Sequence, residues 1–233
     1  MMIEKTKTLY QLFCVFSVLT LMATIFTPEI VVFLKPWVII VLSYLYVTKV
    51  KKVNYLVLFT MFLIIVIEII SMIGFVKYFK EMSLLLCLYY CLNIVLLWKS
   101  LQKIKIKLNK IFTFNLVITM ALVIYILISV VKLILPSVDS SMLYLIISTS
   151  SFLLFIGCCY YVYLNSKTLI SYSLMVAASC FLIVNITSAL NHLYVSLEIF
   201  LVIIRLLQIS GQFFLVKFFI EQNDLIPNGE DYF

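Results

Sequence analysis

The chain has 233 residues, of which 65% are hydrophobic and only 12% charged, and its mean hydropathy is +1.22. A soluble domain is roughly half apolar, so this composition excludes one and makes lipid the solvent for most of the chain. The net charge of +7 comes from lysines gathered between apolar runs, together with the lone Arg205, which is the pattern of a membrane topology signal rather than of a nucleic-acid footprint.

Only helices and closed barrels satisfy every backbone group in hydrocarbon. Barrel strands alternate over about ten residues, whereas the apolar runs here extend over about 17–23. The expected fold is therefore all-α, a polytopic membrane bundle of about eight transmembrane helices. Spans are expected near 9–26, 30–47, 55–76, 82–98, 111–131, 142–164, 169–190 and 196–219. The first ends in Thr27, Pro28 and Glu29 without a small-residue cleavage site and reads as a retained helix.

The second span carries Lys35, Pro36 and Trp37 near one end, where a lysine can snorkel to the interface and a tryptophan can anchor. Glu68 lies in the third span. The fourth brings Tyr89 and Asn93 together at i, i+4. The seventh aligns Asn185, Ser188 and His192, and the eighth aligns Arg205, Gln208 and Gln212 at i, i+3, i+7. Between the fourth and fifth spans the segment 99–110, KSLQKIKIKLNK, alternates lysine with apolar residues and is expected along the membrane surface. A short acidic tail occupies 220–233.

With the N-terminus inside, twelve lysines (Lys5, Lys7, Lys49, Lys51, Lys52, Lys99, Lys103, Lys105, Lys107, Lys110, Lys167 and Lys217) fall on the cytoplasmic side. Three, Lys77, Lys80 and Lys132, fall opposite. The positive-inside rule thus predicts a multi-pass cell-membrane protein with both termini cytoplasmic. Sixteen lysines to one arginine is compatible with an AT-rich bacterial genome, hence a bacterial inner membrane. Cys14, Cys87, Cys91, Cys158, Cys159 and Cys180 all lie in apolar runs without CxxC or metal-ligand spacing, so they read as small hydrophobes, and no metal or cofactor is expected.

The two halves, 1–98 and 111–219, echo each other. Glu68-Ile-Ile-Ser71 and Asn185-Ile-Thr-Ser188 are 117 residues apart, while Lys49 and Lys167, like Lys99 and Lys217, are 118 apart. The spacing suggests a parallel four-plus-four repeat within a single bundle, and repeat proteins of the membrane often hold a site where the repeats meet.

Buried charges cost about 2.5–3.5 kcal/mol each on insertion scales, which makes intramembrane polar residues the informative ones. Glu68 and Arg205 share a depth, which predicts an ion pair. Arg205, Gln208, Gln212, Asn185, Ser188, Asn93, Tyr89 and Lys35 are the candidates to line a polar cavity open toward the outer leaflet, with Glu68 as the candidate acid. The blander reading is ordinary interhelical hydrogen bonding, at about 0.6 kcal/mol per contact.

Eight spans with both ends inside, Lys35-Pro36 in span two, and the stretch from Ala177 to Asn191 followed by Gly211-Gln212 resemble the lysoplasmalogenase-like (YhhN) membrane family. The resemblance implies hydrolysis of the vinyl-ether bond of lysoplasmalogens, with Gly-Asp in span three, a histidine in span four and Ser-Asp in span seven. The matching positions here hold Ile67-Glu68, no histidine between Tyr89 and Asn93, and Val184-Asn185. Vinyl-ether hydrolysis needs a positioned acid and a group to activate water, and an asparagine cannot serve as the base. The expected function is therefore a diverged member that binds a single-chain lipid with catalysis weak or lost. The alternative is a non-enzymatic subunit of a larger membrane assembly. Membrane lipids and membrane proteins are the expected partners, and nucleic acid is not.

Overall fold

The computed structural model describes residues 2–75, 77–103, 110–134, 142–166, 168–194 and 196–224. Among these the chain forms eight α-helices and no strand: α1 (Met2–Phe26), α2 (Pro28–Lys49), α3 (Tyr55–Gly74), α4 (Phe79–Lys103), α5 (Lys110–Ile134), α6 (Met142–Ser166), α7 (Leu169–Leu193) and α8 (Glu198–Asp224). Seven are long and apolar enough to cross a membrane. In α5, a helix of 25 residues, the apolar run within the described residues is the shorter Ala121–Lys132. The chain is a multi-pass membrane helix bundle. Most of the basic segment 99–110 and the end of the acidic tail lie outside the described residues.

Local sequence sets the helix ends. Pro28 starts α2 at the position where a missing N–H costs nothing, so the helix begins earlier than the polar Thr27-Pro28-Glu29 suggests. Asn54 caps α3, its Oδ1 accepting from the Leu56 N–H at 2.9 Å. Thr168 and Ser171 form a reciprocal capping box at the start of α7.

Helix neighbours close into a ring, α2–α3–α4–α6–α7–α8 and back to α2, with α1 packed on α2 and α8 and α5 packed on α6 and α7. The pair α7–α8 packs most extensively. A Cβ on Gly211 would meet the Cys180 Cβ and the Phe181 ring at 3.1 Å, so a residue without a side chain is what lets α8 approach this close. Ala177 and Ala178, fully buried, extend the same seam, in keeping with small residues at helix contacts in lipid.

The two halves of the bundle along its length differ. Toward the chain termini it is solid, filled by Leu42, Leu45, Tyr46, Val57, Leu97, Phe155, Ile156, Leu174, Leu215 and Phe218. The end of α8 is tied down there. Gln222 Nε2 donates to Ser100 Oγ at 2.7 Å, while Asn223 accepts from the Lys51 N–H at 3.2 Å and donates to the Lys52 carbonyl at 3.0 Å. Large apolar residues such as Val18, Phe33, Phe62, Trp98 and Leu154 face outward, where lipid is their solvent.

Candidate functional site

The other half of the bundle is hollow. A cavity of about 520 Å³ is lined by the second halves of α3, α5 and α7 and by the first halves of α2, α4, α6 and α8. Those are the helix halves that meet at the end opposite the chain termini. The solid core closes the cavity below, so it is a blind pocket and not a channel.

Its walls are chemically unlike. Lys35 from α2, Glu68 and Ser71 from α3, and Arg205, Gln208 and Gln212 from α8 form a polar side. Met82 and Leu86 from α4, Leu127, Val130 and Val131 from α5, and Leu145 and Phe152 from α6 form a largely apolar one, interrupted by the uncharged Ser83, Tyr89, Tyr90, Ser148 and Thr149. Asn185, Ser188 and His192 on α7 stand between them. At the mouth, Pro28 and Glu29 start α2 and Phe75 follows α3; the Phe75 ring stacks on His192 at 4.3 Å and 11°.

At the centre of the polar wall three side chains from three helices meet, although Glu68 Oε2 has only the charge contact with Lys35 and no hydrogen bond. Lys35 Nζ lies 3.0 Å from Glu68 Oε2 and donates to Gln208 Oε1 at 2.6 Å, and Gln208 Nε2 donates to Glu68 Oε1 at 2.5 Å. Lys35 is 2% exposed and Glu68 is 5% exposed. An ion pair so enclosed, with a neutral amide bonded to both partners, is the arrangement in which attraction offsets the loss of hydration.

Two expectations are corrected here. Lys35 does not snorkel: it lies seven residues into α2, about 10 Å from its start at 1.5 Å per residue, and turns into the bundle. The expected Glu68–Arg205 pair is absent among the described residues, and Lys35 takes the carboxylate instead. Counted from the observed ends, Lys35, Glu68 and Arg205 are seven, six and seven residues deep in α2, α3 and α8, so depth cannot choose between the two cations. Side-chain direction does: Lys35 Nζ is the cation that reaches the carboxylate, while α8 reaches Glu68 through Gln208 and not through Arg205.

Arg205 is thus left over. It is close enough to Glu68, Lys35 and His192 to interact with each through charge, yet its buried Nε has no hydrogen-bond partner. Deeper in, a second polar layer forms. Gln212 Nε2 donates to Tyr89 OH at 3.1 Å, and the Asn185 amide meets Tyr90 OH through Oδ1 at 3.2 Å and Nδ2 at 3.0 Å while Nδ2 also donates to the Phe181 carbonyl at 2.8 Å.

Of the candidates, Lys35, Glu68, Tyr89, Asn185, Ser188, Arg205, Gln208 and Gln212 line one cavity. Asn93 does not: fully buried, it donates to the Tyr89 carbonyl at 2.8 Å on its own helix. Tyr90 was not among the candidates. Its signal was position: it follows Tyr89 directly, and a tyrosine hydroxyl inside a span needs a partner. Among the described residues no three potential metal ligands gather, and the six cysteines are free. No protein-family model, characterised protein or solved structure matches the chain.

Proposed function

We propose that the chain is a membrane lipid-binding protein that takes up a single-chain lipid in its blind cavity, as a diverged relative of the lysoplasmalogenase-like (YhhN) family with hydrolysis weak or lost. The observation that carries this is the two-faced cavity: Lys35, Glu68 and Arg205 charge the wall on α2, α3 and α8, whereas α4, α5 and α6 line it with no charged residue and with mostly apolar ones, which suits a molecule with a polar head and one apolar tail. Its volume of about 520 Å³ falls in the range of small-molecule sites, about 300–1,000 Å³.

Loss of hydrolysis follows from the residues. Glu68 already faces Lys35 with one oxygen and accepts from Gln208 with the other, which leaves neither oxygen free to deliver a proton to an enol-ether carbon. Asn185 can orient a water through its amide but cannot deprotonate it. The same reading puts both termini in the cytoplasm, on the strength of the twelve-to-three lysine asymmetry, so that the cavity faces the outer leaflet. The four-plus-four repeat is part of the proposal: the contacts α2–α3, α3–α4, α4–α6 and α1–α2 recur four helices on as α6–α7, α7–α8, α8–α2 and α5–α6.

The test has two arms. Mass spectrometry of lipid released from the purified protein should find a single-chain species that a cavity-filling Leu86→Trp variant lacks. Incubation with lysoplasmalogen should release little or no aldehyde. Robust turnover abolished by Glu68→Gln would overturn the catalytic part, and a lipid content identical in the two proteins would overturn the binding part.

A further inference from the structure

We propose that the cavity selects its lipid by an anionic phosphate headgroup, and that Arg205 is the residue that reads it. This rests on the single-chain lipid reading above and adds the headgroup class and the specificity residue.

Charge is the first reason. The inner polar wall carries Lys35, Arg205 and Glu68, and the Lys35–Glu68 pair is internally compensated at 3.0 Å with Gln208 bonded to both. One positive charge therefore remains in a low-dielectric site. The other titratable groups on the cavity are Glu29, at the exposed first turn of α2, His192 at the mouth, and the hydroxyls of Tyr89 and Tyr90, which bond to Gln212 and Asn185; none is an ion-pair partner of Arg205. An intramembrane cation without a counter-ion is costly and marks a site by default.

Geometry is the second reason. Arg205 is three residues before Gln208 on α8, about one helical turn nearer the mouth, so a headgroup entering from the open end meets it before the Lys35–Glu68–Gln208 cluster. Its Nε is buried without a partner. Arg205 as a whole is only part-buried, and the planar set of N–H donors on its guanidinium can fork two oxygens of a phosphate, which a lysine cannot reproduce. The apolar wall of α4, α5 and α6 then faces the acyl chain.

The experiment uses the full chain in a non-ionic detergent and compares three probes by titration: monoacylglycerol phosphate, monoacylglycerol with the same acyl chain, and inorganic phosphate. The two lipids differ only in the phosphate. The phosphate lipid should bind about tenfold tighter or more, the scale of one hydrogen bond to a charged group. Arg205→Gln should bring the two lipids to similar affinity, and Arg205→Lys should recover part of the difference, since it keeps the charge and loses the fork. Equal binding of both lipids to the unmodified protein would overturn headgroup selection while leaving the single-chain reading intact. Binding of neither would overturn that reading and the inference with it. Inorganic phosphate binding as tightly as the phosphate lipid would assign the site to a soluble anion and overturn the lipid source. The comparison on the unmodified protein stands whether or not the variants fold.

Discussion

Replacing Lys35 by methionine keeps an unbranched side chain one atom shorter and removes its charge, leaving Glu68 with only the Gln208 amide. The two groups are 3.0 Å apart with side chains 3% and 5% exposed, so solvent screens them little. At an effective dielectric of about 20 their attraction is about 5–6 kcal/mol. Much of that offsets desolvation, and removing one member of a buried pair typically costs about 3–5 kcal/mol. Glu68→Gln alone should fall in the same range. The double variant Lys35→Met/Glu68→Gln has no charge left to strand, so it should cost far less than the two singles together, with a coupling energy of about 3 kcal/mol. Reversible unfolding in mixed micelles of the wild type, both singles and the double reads this directly. A coupling below about 0.5 kcal/mol would refute the pairing. So would tolerance of Lys35→Met combined with a large cost for Arg205→Gln, which would return the carboxylate to Arg205.

Arg205→Gln should be close to neutral for stability, or stabilising, because it removes a buried cation whose Nε has no partner; a loss of more than about 2 kcal/mol in the same unfolding assay would show that the guanidinium is structural. Gly211→Leu should destabilise by about 1–3 kcal/mol through overpacking against Cys180 and Phe181, while Gly211→Ala should cost less; equal melting temperatures for the leucine variant and wild type would contradict the close α7–α8 approach. Tyr90→Phe should cost about 0.6 kcal/mol and no more than about 1.7, the range for one interhelical hydrogen bond, measured in the same way. Reporter fusions after Phe233 and within 137–141 should give opposite sidedness, and matching sidedness would remove the basis for an outward-facing cavity.

The architecture was legible in the sequence because lipid leaves the backbone one economical solution. Runs of about 17–23 apolar residues separated by lysines allow little besides a helix bundle. The polar face of α8 was legible for a related reason: Arg205, Gln208 and Gln212 at i, i+3, i+7 can only turn inward. The partner of Glu68 was not. Depth follows from counting along one helix, but pairing depends on which side chains turn toward one another in the assembled bundle, and the spacing along α2, α3 and α8 carries no sign of that. Lys35 was misread through a two-residue error. Starting α2 at Pro28 instead of Ile30 puts Lys35 beyond comfortable snorkelling reach, so burial with a counter-charge becomes its lower-energy arrangement.

The corrected pairing changes what the remaining charge means. Had Arg205 taken Glu68, the cavity would hold a closed ion pair and a lysine able to reach the interface, and nothing in it would call for a ligand of either sign. With Lys35 drawn in by Gln208 and Glu68, the polar wall splits into a charge-compensated cluster that joins α2, α3 and α8 and a lone guanidinium one turn nearer the mouth. The cluster is what stability selects, since its cation and its carboxylate offset each other. The lone guanidinium is unfavourable in the empty protein, and such a cost is retained where binding of an anion repays it.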